Sequence, residues 1–372
     1  MRSSAAALTY WFRCSRVGSL AFGLLLTGAS ACGRTPEAKP DAPSPALKTP
    51  PSAAAALPAI QAAPLTTSYK LPGSARVVAI GDIHGDLTAL RGALRLAGAI
   101  DSDDRWIGKE LTVVQTGDQI DRGDQDREVL DVLEKLETDA KAAGGALLLL
   151  LGNHELMNAG FDFRYVTRKS FASFDEFSSH AGAEAQHVLE AERGRAAAFA
   201  PGAPYALKLS RHLVVAQVGD TLFAHGGVLP AHVDYGLDRI NREASGFLAG
   251  KLRELPRVLG GDDAPDWVRV YGSPEVDDAT CALLGRVLAQ VGAKRLVVGH
   301  TVQEHGISSA CQDRLIRIDI GLSAFYGVKP PQVLEITAAG TRVISLDTAA
   351  PKATSPAVKP GQSHDAALHS AP

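Results

Sequence analysis

Three times between residues 77 and 155 a short aliphatic or β-branched run ends at a glycine and opens into a polar loop. Val77 to Ile80 leads into Gly81 to Asp86 and a helix from about Leu87, and Leu111 to Gln115 leads into Gly117 to Asp124 and a helix reaching about Ala143. Leu147 to Leu151 leads into Gly152 to Glu155. Apolar runs of this length between turn residues fit buried strands, and their alternation with helices predicts an α/β fold. Farther on, His212 to Val218 and Thr221 to Ala224 read as a hairpin about Gly219-Asp220. Arg295 to Val298, Leu315 to Ile318, Gln332 to Ile336 and Arg342 to Leu346 read as strands without long helices between them, so the second half is expected to be the more antiparallel. Between Leu156 and Leu209, helical spacing such as that of Ala183 to Arg195 predicts a small helical cap inserted over 156–210, beside the mouth of the site.

The folded unit is predicted over 74–347, and its flanks differ in character. Arg2, Arg13 and Arg16 precede an apolar run, Leu20 to Leu26, that ends in small residues up to Cys32, the pattern of an export signal over 1–32. The run is shorter than the roughly 20 apolar residues of a permanent span. Two cleavage readings stay open. Ala29-Ser30-Ala31 suits the general signal peptidase, whereas Ala31-Cys32-Gly33 resembles a bacterial lipobox with Ala29 in place of the usual Leu. The lipoprotein reading is favoured, because the Ala- and Pro-rich stretch over 33–73 would serve an anchored protein as a tether. The expected location is periplasmic or in the cell envelope, with the membrane reached only through lipid on Cys32. Cys14 would leave with the signal, so Cys281 and Cys311 remain as one pair, either a disulfide or two separate buried thiols. Residues 348–372 share the Ala, Pro and Ser bias and are expected to stay unfolded.

A formal net charge of -3 offers no basic stripe to neutralise a nucleic-acid backbone, so nucleic acid is not an expected partner. The chemistry lies in the loops after the predicted strands, which in an open sheet point into a common crevice. Those loops carry Asp82, His84, Asp118, Asn153, His225 and His300: carboxylate, imidazole and amide oxygen without thiolate, a donor set for borderline first-row metals. Asp82 and His84 stand two apart, so an extended loop directs both to one side. Asp118 has two oxygens with which to bridge two cations, and Asn153, His225 and His300 would complete the ligand shell of the second ion. Two metals roughly 3.5–4 Å apart hold a hydroxide and a phosphoryl oxygen together and balance charge during displacement. Arg122 would supply a planar fork for the phosphate oxygens. His154, its tautomer set by Asp121, would protonate the leaving oxygen.

The ordered series Gly81-Asp-Ile-His-Gly85, Gly117-Asp-Gln-Ile-Asp-Arg-Gly123, Gly152-Asn-His-Glu155, His225-Gly-Gly227 and Gly299-His-Thr301 resembles the calcineurin-like metallophosphoesterase superfamily, and within it the phosphoprotein phosphatase branch. Val297 to Gln303 and Asp319-Ile-Gly-Leu-Ser323 are similar to the Shewanella-like phosphatases. The resemblance spans about Val77 to Leu346. It implies a two-layer mixed β-sandwich flanked by helices and a Mn, Fe or Zn centre. Asp82, His84 and Asp118 would hold one ion, and Asp118, Asn153, His225 and His300 the other. The implied activity is phosphomonoester hydrolysis on phosphoprotein, phosphopeptide or another small phosphoester, by direct attack of metal-bound hydroxide. It leans toward phosphotyrosine, which some Shewanella-like relatives prefer. Arg269, in Trp267-Val-Arg-Val-Tyr271, resembles a second phosphate-contacting arginine of the family; its plainer reading is a surface Arg beside a strand. The C-terminal pocket motif of eukaryotic phosphoserine and phosphothreonine phosphatases is not found in the sequence, so their regulatory partners are not carried over.

Two other functions compete. A dinucleoside polyphosphate hydrolase shares the Gly-Asp-x-His-Gly and Gly-His-Thr patterns, and a non-catalytic binding lipoprotein would keep such a fold while losing its ligands. Asp262, Asp263 and Asp266 read as a solvated acidic loop, not as a third metal site. His180, His187, His212, His232 and His305 read as solvated or structural.

Overall fold

The computed structural model describes residues 68–346. The predicted export signal, Cys32, the segment over 348–372 and the tether up to residue 67 lie outside the described residues. The chain order is β1 (Lys70–Leu71), β2 (Arg76–Ile80), α1 (Leu87–Leu96), β3 (Thr112–Gln115), α2 (Asp126–Ala142), β4 (Ala146–Leu149) and α3 (Asn153–Ala159). There follow α4 (Arg168–Ala172), α5 (Arg193–Phe199), α6 (Pro204–Leu209), β5 (Val215–Val218), β6 (Thr221–Ala224), α7 (Pro230–Tyr235), α8 (Leu237–Leu248) and α9 (Asp278–Val291). The chain then runs through β7 (Arg295–Val298), β8 (Ser308–Ala310), β9 (Leu315–Arg317), β10 (Gln332–Thr337) and β11 (Gly340–Ser345).

The strands form two mixed sheets, ordered β1-β5-β6-β7-β9-β8 and β11-β10-β2-β3-β4. Side chains alternate across each strand, so one strand supplies two layers. Val77 and Ala79 of β2 meet Phe223, Val297, Ile316 and Leu334 between the sheets, whereas Val78 and Ile80 face the core shared with Leu90 and Leu94 of α1 and Leu133 and Leu136 of α2. Leu222 and Ala224 of β6 turn the other way, into the core that contains Ile240 of α8 and Val287 of α9. The result is a β-sandwich with helices on both outer faces, the α/β class anticipated from the sequence.

β2, β3 and β4 are parallel, as are β6 and β7, so their C-terminal ends fall at common edges. This places the loops that begin at Gly81, Gly117 and Leu150 side by side, with those that begin at His225 and Gly299 beside one another. The second half is the more antiparallel of the two, as expected, though not throughout. β5–β6, β8–β9 and β10–β11 pair antiparallel, but β6–β7 and β7–β9 are parallel. The end of the stretch read as tether is also structured, because Lys70 and Leu71 pair in parallel with Gln217 and Val218.

The stretch over 156–210 is helical but fragmented. Ala183 to Arg195, a stretch of helical spacing, forms 3-10 turns at Ala183–His187 and Glu190–Glu192 before α5 begins at Arg193. Leu189 is 70% exposed, so no continuous apolar face is available to stabilise a longer helix. Cys281 of α9 and Cys311, which follows β8, form a disulfide with Cα atoms 5.3 Å apart, which decides between the two readings of that pair.

Candidate active site

Each candidate side chain lies where a strand stops. Asp82 and His84 follow β2, Asp118 follows β3, Asn153 and His154 open α3 after β4, and His225 and His300 follow β6 and β7. All seven are buried. Their loops are tight: His84, Asp118, Asp121, Arg122 and His300 all adopt positive φ, between 48° and 69°. This conformation strains a residue bearing a Cβ and persists only where surrounding structure enforces it, as functional sites do. The enforcing structure includes Gly117, at φ 100°, and Gly152, where a Cβ would collide with the Asp118 carboxylate.

One group of donor atoms surrounds His225. Its Nε2 is 3.2 Å from Asp118 Oδ2, 3.2 Å from Asn153 Oδ1 and 3.1 Å from His300 Nδ1. His225 Nδ1 donates to the Thr116 carbonyl at 2.9 Å, and His84 Nδ1 donates to the Ile120 carbonyl at 3.2 Å. Both bonds leave Nε2 facing the cluster, as a metal-ligating histidine requires. His84 Nε2 and His154 Nε2 each lie 3.7 Å from Asp118 Oδ2. Two triples, His84, Asp118 and His154, and Asp118, His225 and His300, therefore bring ligand atoms within 4.8 Å of one another and share Asp118. Asp82 belongs to neither triple. It accepts the His300 backbone N–H at 3.1 Å and lies 3.9 Å from His225 Nδ1.

The electrostatics are those of a donor set short of positive charge. Burial and the neighbouring Asp319 carboxylate push the Asp82 pKa well above its usual range. Against its own burial, Asp118 is held well below the usual range by His225 and His154. Burial also works against His225, yet Asp118 and Asp82 raise it to about 10; a cation on Nε2 would answer the same attraction. Burial lowers His84 to about 3 and His300 to about 2, as neutral ligands need. His300 Nε2 and Asp319 Oδ2 are buried without hydrogen-bond partners. Lone pairs crowded this closely around a shared carboxylate fit metal ions with nitrogen and oxygen preferences.

Beside the cluster, Asp121 Oδ2 accepts from His154 Nδ1 at 2.7 Å. Burial opposes protonation of His154, but the Asp118 charge and the Asp121 hydrogen bond outweigh it and raise its pKa. Arg122 places Nη1 3.2 Å from His84 Nε2 and Nη2 3.2 Å from His154 Nε2. Its guanidinium lies 5.2 Å from the Tyr165 ring, 5.3 Å from Tyr326 and 5.9 Å from Phe325. Tyr165 belongs to the insertion, and its carbonyl accepts the Arg122 N–H at 2.9 Å. Arg269 stands apart: it is exposed, and its Nη1 donates to Thr301 Oγ1 at 3.5 Å, next to His300.

Several residues at the site were not singled out from the sequence. Glu155 accepts three backbone N–H groups, from Asp118, Gln119 and Gly152, and is the last residue of a quoted motif. Asp319 lies in a quoted segment, whereas Tyr165 and Arg195 have no motif signal. The acidic loop also needs correcting. Asp262 and Asp263 are exposed, but Asp266 is fully buried, without a hydrogen-bond partner for either oxygen, and burial raises its pKa to about 7. Pro265 explains the difference: its carbonyl accepts the N–H groups of Gly226 and Gly227, so the loop is pinned beneath His225 and carries Asp266 inward.

The calcineurin-like phosphoesterase family matches residues 75–304. Shewanella-like protein phosphatase 2 of Arabidopsis thaliana is 38% identical over 76% of this chain and 80% of its own length. Shewanella-like protein phosphatase 1 of Plasmodium berghei is 30% identical over 70% and 71%. A crystal structure of the cold-active protein-tyrosine phosphatase of a psychrophilic Shewanella superposes with a TM-score of 0.62 at 26% identity, covering 75% of this chain and 83% of that one. The chain belongs to the calcineurin-like phosphoesterase family, among its Shewanella-like protein phosphatases, and is a metal-dependent phosphoester hydrolase.

Proposed function

We propose that this chain is a dinuclear-metal phosphomonoesterase acting on phosphoprotein or phosphopeptide, with phosphotyrosine as its favoured substrate. The observation that carries the reading is the position of Arg122, whose guanidinium lies between the Asp118 cluster and the rings of Tyr165, Phe325 and Tyr326. A fork at that point suits phosphoryl oxygens, and the rings offer an aryl leaving group a surface on which to lie. Arg122 also lines a pocket with Ala89, Gly92, Leu96, Phe325 and Pro331, which would receive the residues that flank a phosphorylated side chain.

Asp82, His84 and Asp118 would hold one metal ion, and Asp118, Asn153, His225 and His300 the other, with manganese, iron or zinc suited to these donors. When bound, the pair supplies Lewis acidity and lowers the pKa of a water. The protein's own part is to bind and orient. Arg122 receives the phosphoryl oxygens, with Arg269 as a second candidate at the rim. His154 delivers a proton from Nε2 to the leaving oxygen, while Asp121 holds Nδ1–H and so fixes which nitrogen faces the substrate. That role for His154, instead of metal ligation, is supported by its geometry: Nδ1 is held by Asp121 at 2.7 Å, and Nε2 faces Arg122, where the phosphoryl group would sit. We further propose an oxidising, extracytoplasmic location, which the Cys281–Cys311 bridge favours.

The test is turnover by metal-loaded protein of a phosphotyrosine peptide, its phosphoserine counterpart and a dinucleoside tetraphosphate. The phosphotyrosine peptide is expected to lead in kcat/KM. Preference for the dinucleotide would replace this reading with nucleotide hydrolysis, and no turnover of any substrate by folded protein would leave a binding role.

A further inference from the structure

We infer that Arg195, in the inserted segment, is a positioning residue for His154, acting through Asp121. The inference rests on the reading of His154 as the acid. Arg195 is fully buried, a costly place for a charge unless its partners are well placed. Its Nη2 lies 2.8 Å from Asp121 Oδ1 and 2.7 Å from Asp126 Oδ2, bridging two carboxylates that are themselves fully buried. Without that cation the two like charges would face each other out of water, and Asp121 would be free to turn from His154.

A second contact fixes the same geometry. Arg195 Nε donates to Asn158 Oδ1 at 2.6 Å. Arg195 has only donors, so it holds the amide oxygen toward itself and turns Nδ2 toward Asp121, where it donates to both carboxylate oxygens at 3.0 Å. Asp121 is thus held by two groups, both set by Arg195, with Oδ2 toward His154 Nδ1. The guanidinium is confined by the rings of Phe199 at 4.9 Å and Phe174 at 5.2 Å. Lysine has neither the planar fork nor enough directed donors to reproduce these contacts. The insertion therefore does more than cover the site, because it supplies the outer support of the acid.

The experiment compares Arg195→Met and Arg195→Lys with the parent on a phosphotyrosine peptide, whose phenolate leaves poorly, and on 4-nitrophenyl phosphate, which needs little protonation. Melting temperature and metal content are read on each variant. Expected is a fall in kcat of about 10- to 100-fold on the peptide, part of the roughly 10²–10⁴ that a general acid contributes. KM and metal content should stay near the parent's, with a much smaller fall on nitrophenyl phosphate. In an Asp121→Asn background, the Arg195 substitutions should add no further leaving-group dependence. Equal loss on both substrates, or the same added leaving-group dependence in the Asp121→Asn background as in the parent, overturns the inference. Arg195→Lys keeps charge and bulk, so the ratio can be read even if Arg195→Met does not fold. His154→Ala separates the two levels: leaving-group-dependent loss there without it at Arg195 defeats this inference alone, whereas equal slowing in His154→Ala defeats the acid role and this inference with it.

Discussion

Glu155 holds Asp118 by its backbone: Oε2 accepts the Asp118 N–H at 2.9 Å and the Gly152 N–H at 2.7 Å, while Oε1 accepts from Gln119 at 2.8 Å. One side chain thereby ties the loop after β3, with its positive φ at Asp118, to the start of α3, which carries Asn153 and His154.

Glu155→Gln should loosen that tie. An amide has one oxygen, so its NH2 must face at least one of the three N–H donors, at a cost of about 1–3 kcal/mol for a buried group left unpaired. The expected outcome is a lower melting temperature and metal affinity reduced about 10- to 100-fold, as when an outer support of a ligand is removed. Thermal melting and metal titration check this, and unchanged values for both would contradict it.

The Cys281–Cys311 bridge closes a loop of 30 residues between α9 and the end of β8. Its reduction should lower stability by about 3–4 kcal/mol on the chain-entropy estimate. Neither cysteine touches the candidate active site, so turnover by folded protein should be retained. A mass shift on reduction, denaturant melts with and without reductant, and an assay below the melting range read this directly.

His212 is buried away from the cluster, its Nδ1 without a partner, and burial lowers its pKa to about 3. The unfolded chain takes up a proton there near pH 6.5, before the folded chain does. The stability this residue allows is therefore complete above that pH and declines as pH falls toward 3. Relative to His212→Leu, the parent should lose about 1 kcal/mol per pH unit between pH 6 and 4. Parallel stability curves for the two proteins would show that His212 does not titrate in this way.

The loops that carry the candidate ligands were legible because each is local: a strand, a glycine, then a polar residue, all within a few positions. Parallel pairing of β2, β3 and β4 follows from the same alternation and brings their tips together, whereas the parallel pairing of β6 with β7 was not foreshadowed by any such alternation. What could not be read depended on distant partners. The Arg195–Asp121 contact spans 74 residues and has no motif of its own. Asp266 looked like its exposed neighbours Asp262 and Asp263, and its burial is decided by bonds from Gly226 and Gly227 to the preceding proline. Lys70 and Leu71 have the composition of their surroundings, and only the edge of β5 makes them a strand. Ala183 to Arg195 has helical spacing, but its apolar residues are split between buried Ala185 and exposed Leu189, and tertiary packing overrode periodicity.

Metal analysis of the purified chain and of Asp118→Asn, each paired with phosphotyrosine-peptide turnover, addresses the central claim that one carboxylate joins two metal sites. Two ions per chain are predicted for the parent. For Asp118→Asn, loss of at least one ion and a fall in kcat/KM of about 10³-fold or more are predicted, since several kcal/mol of charge stabilisation depend on the shared oxygens. A fully active parent with one ion or none, or an Asp118→Asn variant with the parent's metal content and turnover, would contradict it.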